Sequence, residues 1–378
     1  MVEIHGFCDE RFKAVKEAFA QNFEEDLEVG ASFAATLNGK FIIDMWAGYS
    51  DAAQTKPWEK HTIVNVYSTT KVMTAICTLM LVDRGQLDLD APVAKYWPEF
   101  GQAGKDNLPV RYLLSHTAGL SGFDTPVKVN TLYDWEKTVN LLAAQKPWWE
   151  PGTKSGYHMV TFGYLLGEVV RRITGKTIGT FFKEEVAGPL NADFHIGLPE
   201  EHDSRVGELI PPPSRDLSQF GELEPNSIAI RTFMSSPIPP REIKTRAWRG
   251  AEIPAANGHG NARSVARIAA AIACGGELDG VRLLSLDTIK KALEEQSYGT
   301  DLVVQLPVRF GLGFGLQQKE RPKGPNKNVL YWSGAGGSVC RMDLDAKVSI
   351  GYVMNKMTNT IAGDPRSERP IEALYKAL

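Results

Sequence analysis

This chain is short of several features, and each shortage removes a class of function. Its four cysteines (Cys8, Cys77, Cys274, Cys340) are far apart and form no Cys-x-x-Cys pair. Cys77 and Cys340 sit in apolar runs and read as buried thiols, which fits a reducing cytoplasm. No run of about 18 apolar residues occurs, so no transmembrane helix is expected. The start, Met1-Val2-Glu3-Ile4-His5-Gly6, has no basic segment followed by an apolar one, so a secretory signal is not expected either. Charge of one sign is also missing. The net value of −3 gives no electrostatic case for nucleic acid or for an anionic membrane. The seven histidines make no His-Glu-x-x-His spacing, so no metal site is expected. Gly311-Leu312-Gly313 and Gly258-His259-Gly260 lack the third glycine and the helix context of a dinucleotide loop, and no cofactor is implied. There is no internal repeat, no low-complexity tract, and no Gly-x-Ser-x-Gly.

What remains is an ordinary globular composition, 43% hydrophobic and 23% charged, enough for one large domain or two closely packed ones. Phe12, Val15, Phe19 and Phe23 make a helical stripe with Asp9 as its cap. Residues 31–36 and 41–46 flank Asn38-Gly39, a tight-turn signal for a hairpin. From Ser68 to about Ala192 the pattern is mainly helical, with a clear helix from Val160 to Ile173 ended by Gly175. Another helix is expected over 264–272, before Gly275-Gly276. Strands return at about 309–317, 329–332, 338–344 and 347–355, the last two joined at Asp345-Ala346. A final helix carries Ile371, Leu374, Tyr375 and Leu378.

Strands at both ends with a helical block between them predict an α+β fold. One antiparallel sheet would be built from both termini and flanked by the terminal helices. Residues 1–65 and 260–378 would form this part, and 66–259 a mostly helical lobe, with a small-molecule site in the cleft between. Within 200–250 the chain holds Pro211-Pro212-Pro213, Pro225, Pro237, Pro239 and Pro240, with Phe220, Phe233 and Trp248 among them. This stretch reads either as a lid or pocket-lining insertion or as surface padding.

Three short elements carry the chemistry. Ser68-Thr69-Thr70-Lys71 is the only Ser-x-x-Lys in the chain. Val64-Asn65-Val66-Tyr67 before it reads as a helix lead-in. The stretch Val72 to Arg84 after it is apolar at helical spacing and stops at Gly85. Serine and lysine three apart in a first turn share one face, beside unpaired backbone N–H groups. The same residues also suit an N-cap serine and a solvated lysine. The second element, Trp149 to Tyr157, reads as a turn delivering Tyr157 ahead of the Val160 helix; a half-buried core tyrosine is the plainer alternative. The third, Trp332-Ser333-Gly334-Ala335-Gly336-Gly337, closes one strand and opens the next, and its glycines suit either close ligand approach or a tight turn.

In this order the three elements resemble the serine β-lactamase and penicillin-binding-protein superfamily, whose pattern is Ser-x-x-Lys, a Tyr- or Ser-led triplet, and Lys-Thr-Gly or a variant on a strand. Leu113-Leu114-Ser115-His116-Thr117-Ala118-Gly119-Leu120 is similar to a superfamily segment. So are Pro151-Gly152, Gly188-Pro189-Leu190 and Phe310-Gly311-Leu312-Gly313-Phe314. Tyr157-His158-Met159 departs from the Tyr-x-Asn of class C β-lactamases, and Trp332-Ser333-Gly334 replaces Lys-Thr-Gly. Both departures resemble the family VIII carboxylesterases.

That resemblance implies a β-lactamase/transpeptidase-like fold and hydrolysis of small carboxylic esters through an acyl-enzyme on Ser68, activated by Lys71 or Tyr157. It also implies an oxyanion hole from the backbone N–H groups of Ser68 and Ala335. Trp332 and Gly334 would contact substrate. Phe123 and His158 are further candidates for substrate contact, while His116 reads as structural. The expected partner is a small-molecule ester. A β-lactamase or D-alanyl peptidase, an acyltransferase, and a non-catalytic penicillin-binding-like protein are the competing readings.

Overall fold

The computed structural model describes residues 2–212, 224–360 and 363–378. Its centre is a nine-stranded, fully antiparallel sheet. In chain order the strands are β1 (Ile4–Cys8), β2 (Gly30–Leu37), β3 (Lys40–Gly48), β4 (Ser297–Thr300), β5 (Pro307–Phe310), β6 (Gly315–Leu316), β7 (Val329–Ser333), β8 (Val339–Asp343) and β9 (Val348–Met354). Across the sheet they run β1-β3-β2-β9-β8-β7-β6-β5-β4. The two ends of the chain therefore meet at the β2–β9 pair, as an α+β fold built from both termini requires. The β2–β3 hairpin turns at Asn38-Gly39, both at positive φ (50° and 78°), the geometry that an Asn-Gly turn favours.

Five helices position the sheet and the site: α1 (Lys13–Glu24), α2 (Thr70–Asp83), α3 (Thr161–Thr174), α4 (Ala262–Ala273) and α5 (Pro365–Ala377). Adjacent residues of β9 show the layering. Gly351 faces α4, where an added Cβ would lie 2.3 Å from Ala262 O. Tyr352 faces the other way and packs edge-on against Phe19 of α1. The sheet is thus covered by α4 on one face and by α1 with α5 on the other. Helix α2 is apolar all round and buried from Thr70 to Leu81, which makes it a core helix rather than a surface one. Gly85 at φ 69° and Gly175 at φ 71° end α2 and α3 where the sequence placed them.

Several expectations need correction. Val64–Asn65 is not helical. It is a short strand paired antiparallel with His259–Gly260, and a 3₁₀ turn at Tyr67–Thr69 follows before α2 begins. The stretch expected as one strand over 309–317 is split into β5 and β6, because Gly313, at φ 86°, bends the chain so that its Cα packs on α2; a Cβ there would meet Ala75 Cβ at 2.4 Å. Asp9 makes no side-chain cap; its backbone oxygen accepts from Phe12 N instead. Strands β1 and β4 carry exposed, weakly alternating sequences and were not foreseen. Of the proline-rich stretch, Pro213 and Phe220 lie outside the described residues. Trp248 is a core residue whose indole N–H donates to Asn65 Oδ1 at 2.6 Å. Among the described residues no helix is long and apolar enough to cross a membrane.

Gly351 tests the layer contact. Gly351→Ala is expected to cost about 1–3 kcal/mol by overpacking β9 against α4. Urea denaturation should show a lower midpoint with an unchanged slope.

Candidate active site

Ser68 lies in the 3₁₀ turn that leads into α2. The residue before it, Tyr67, has φ 45°, an outlier for a bulky side chain that costs on the order of 1–3 kcal/mol. A chain of hydrogen bonds holds it there. Thr70 Oγ1 donates to Tyr67 O, Gly258 N donates to Thr70 Oγ1 at 2.9 Å, and Val66 N donates to Gly258 O at 2.9 Å. The paired strands Val64–Asn65 and His259–Gly260 thus serve to fix the serine.

The β7–β8 turn clamps the same segment from the sheet side. Ser338 Oγ donates to Val66 O at 2.8 Å and lies 2.9 Å from Thr69 Oγ1. Gly334 lines the cavity beside Ser68, but its missing side chain makes room for protein: a Cβ would sit 2.1 Å from Val66 O. Arg366, 1% exposed, holds the far side of the turn, donating from Nη2 to Gly336 O and from Nη1 to Lys356 O, both at 2.6 Å. Gly334 N bonds to Ser338 O and Gly337 N to Gly334 O, which leaves the Ala335 N–H out of the turn's own bonding. Ala335 and Ser68 line the same cavity.

Lys71 is completely buried. Its Nζ donates to Met159 O at 2.7 Å and to Ala255 O at 3.0 Å, and lies 3.2 Å from Ser68 Oγ. No carboxylate is among these partners, and burial alone drives its pKa well below the usual lysine range. A neutral amine has two N–H bonds for the two carbonyls and a lone pair for the third neighbour, which is the Ser68 hydroxyl.

Tyr157 completes the group. Its hydroxyl donates to Ser68 Oγ at 2.6 Å. Burial raises its pKa, an effect that the polar contact with Ser68 offsets only in part, while the Asp301 charge raises it further. The phenol is therefore neutral. Lys71 Nζ lies 4.7 Å from the centre of its ring. Asp301 orients the residue from behind, with Oδ1 accepting from Tyr157 N at 3.0 Å and from Val303 N at 2.8 Å.

Trp332 packs against Tyr157, ring centres 5.9 Å apart, and reaches the cavity. His116 sits inside a ring of aromatics, 4.9 Å from Phe162 and 5.4 Å from Trp332, and its Nδ1 accepts from His158 N at 3.0 Å. It is a packing residue, as expected. His158, expected as a candidate for substrate contact, does not line the cavity. It is fully buried, its Nδ1 bonds Gly156 O at 2.6 Å, its Nε2 accepts from Leu120 N at 3.1 Å, and burial pushes its pKa down to about 3. Phe123 is likewise in the core, 2% exposed and away from the cavity wall. His158 shows that a residue adjacent in sequence to a site residue can point into the opposite layer.

The cavity holds about 820 Å³. Ser68, Tyr157, Trp332 and Ala335 line one part. Pro211, Pro212, Phe233, Pro237 and Pro240 line another, so the described part of the proline-rich stretch does form a pocket wall. Motif reading missed Asp301, Ser338, Gly258 and Arg366, and the carbonyls of Met159 and Ala255. Only Ser338, next to the glycine cluster, carried any sequence signal.

Hydroxyl, amine and phenol brought together from three separate segments beside an antiparallel sheet are the arrangement of a serine hydrolase of the β-lactamase-related type. Comparison with known proteins agrees: the family described as Beta-lactamase matches residues 19–373, and the chain belongs to it. It is 35% identical to the Esterase/beta-lactamase LipL of Mycobacterium tuberculosis over 367 residues, covering 95% of this chain and 84% of that protein. Among solved structures it is similar to a family VIII carboxylesterase, with 43% identity, TM-score 0.92 and 100% of both chains covered. A penicillin-binding protein homologue from Caulobacter crescentus matches at 42% identity and TM-score 0.92, again over 100% of both chains.

The Gly334 contact generates a prediction. Gly334→Ala should push β7 away from the serine turn and lower kcat/KM by about 10²-fold, the effect of roughly 1 Å of misplacement. Steady-state kinetics beside a thermal melt would check that the loss of activity exceeds the loss of folded protein.

Proposed function

We propose that this protein hydrolyses small carboxylic esters through an acyl-enzyme on Ser68, with Lys71 as the base. The observation that carries this reading is the buried Lys71 amine, held by two carbonyls and no carboxylate, 3.2 Å from Ser68 Oγ. Ser68 Oγ attacks the ester carbonyl carbon while its proton passes to Lys71. The carbonyl oxygen becomes an oxyanion that accepts from the N–H groups of Ser68 and Ala335, each worth about 3 kcal/mol in such chemistry. On collapse the leaving alkoxide takes a proton from Tyr157, and Lys71 returns its own to Tyr157. Water then attacks the acyl-enzyme by the same steps in reverse order, freeing Ser68 and the acid.

Trp332 supports esters over β-lactams. It stands where a cation would otherwise hold a β-lactam carboxylate, and it supplies an apolar wall and ring packing against Tyr157. The relatives named as an esterase/β-lactamase and as a family VIII carboxylesterase point the same way. The site would sit in a cleft between a sheet lobe (1–65 and 260–378) and a mostly helical lobe (66–259). The side-by-side strands Val64–Asn65 and His259–Gly260 support that division, since both crossings fall there. All four thiols are free, which fits action in a reducing cytoplasm.

Wild type and Ser68→Ala should be incubated with a short-chain nitrophenyl ester and with a chromogenic cephalosporin, and the protein mass followed. The expected outcome is ester turnover far above cephalosporin turnover and an acyl adduct that Ser68→Ala lacks. Ester turnover surviving in Ser68→Ala would sink the mechanism.

The base assignment has its own signature. Because burial lowers the Lys71 pKa, kcat/KM should rise with pH as Lys71 loses its proton, with a midpoint below the usual lysine value of about 10.4. Because burial raises the Tyr157 pKa, no alkaline fall from the phenol is expected near neutral pH. Tyr157→Phe should lower kcat by roughly 10²–10⁴ and keep the acid limb. Loss of that limb in Tyr157→Phe, with its survival in Lys71→Ala, would assign the base to tyrosine instead.

A further inference from the structure

Away from Ser68 the cavity is chemically one-sided. None of its described lining residues is an aspartate or glutamate, and its charged members, Arg321 and Lys323, are both cations. Val304, Leu306 and Val308 share the same wall, an apolar surface suited to methylene groups. Arg321 donates from Nη2 to Pro307 O, the residue that begins β5. Among the described residues it makes no ion pair at contact distance; the neighbouring Glu320 carboxylate accepts from Tyr298, and the Arg321 charge acts on it only as a lesser influence that lowers its pKa.

Lys323 is not fully compensated either. Its Nζ lies 3.4 Å from Glu368 Oε1, but Glu368 also accepts from Arg341 Nη2 at 3.0 Å on both oxygens. Two cations therefore share one carboxylate. Lys323 lies 5.3 Å from the centre of the Tyr331 ring, and Tyr331 is itself in the cavity wall. Burial lowers the Lys323 pKa; the Glu368 carboxylate opposes this, and the charges of Arg341 and Arg321 add to the lowering.

We propose that this end of the cavity binds a carboxylate carried by the substrate, so that the ester cleaved at Ser68 bears a free acid group at the end of an apolar chain. The guanidinium fork of Arg321 suits a carboxylate, and an anion there would give it the direct contact that no described carboxylate makes. The proposal rests on the esterase reading, since it names the class of ester.

The test compares kcat/KM for nitrophenyl half-esters of adipic and suberic acid with that for nitrophenyl hexanoate and octanoate. A second series places the carboxylate on the alcohol half, as butyrate esters of hydroxybenzoic acid against phenyl butyrate. Wild type should prefer the charged member in at least one series by roughly ten-fold or more, the size of one charge-assisted hydrogen bond. Arg321→Gln should bring that charged-to-neutral ratio close to one. The ratio is read within each variant, so a partly misfolded sample does not imitate the effect. No preference in either series, or a preference that survives Arg321→Gln, would overturn the proposal. If neither charged nor neutral esters are turned over, the esterase reading fails by itself. Calorimetry of suberic acid monoamide with Ser68→Ala then decides the subsite. Binding that weakens about ten-fold in Ser68→Ala/Arg321→Gln supports it; no binding, or binding indifferent to Arg321, refutes it.

Discussion

An amine buried without a counter-ion is the constraint on which the rest of this structure depends. Lys71 is removed from water on a core helix, yet no acid stands beside it. An isolated charge in that position would be costly, so the group is tolerated as an amine whose two N–H bonds end on Met159 O and Ala255 O. Those carbonyls come from the start of α3 and from the loop before His259–Gly260. Three segments distant in sequence must therefore close on one nitrogen. Its third neighbour is Ser68 Oγ, 3.2 Å away, and the proposed chemistry at the serine rests on how the lysine is satisfied.

The second requirement is a rigid serine turn. Tyr67 carries a left-handed backbone that a free chain would relax. It is held by Thr70, Gly258 and Ser338, contributed by three separate segments, while Arg366 of α5 fixes the opposite end of the β7–β8 turn through Gly336 O. The C-terminal helix thus reaches the site through one buried guanidinium. Gly334 shows how tight the arrangement is, since the sheet approaches Val66 O too closely for any side chain there.

Aromatic packing sets the character of the cavity. His116, Phe162, Phe310 and Trp332 form one cluster behind Tyr157, with His116 at its centre and 4.8 Å from Phe310. Trp332 belongs both to this cluster and to the cavity wall. The indole ties its strand to Tyr157, and the cationic residues of the cavity lining are Arg321 and Lys323.

The sequence by itself determined the elements with a strong local signal. The Asn38-Gly39 hairpin, the glycine stops of α2 and α3, and the sheet drawn from both termini were legible because turn chemistry and apolar periodicity act over a few residues. The grouping of Ser68, Lys71, Tyr157 and the 332–337 turn around one cavity was legible too, because short motifs at fixed spacings leave a pattern. Strands β1 and β4 were not legible: edge strands are exposed and bury no alternating face. The split of β5 from β6 depended on Ala75 of a distant helix. Only the tertiary structure decided which neighbours of the motifs face the cavity and which face the core, and so removed His158 and Phe123 while adding Asp301 and Ser338. It alone decided the state of the Lys71 amine, because burial and the absence of a nearby carboxylate are properties of packing between segments that no local stretch of sequence encodes.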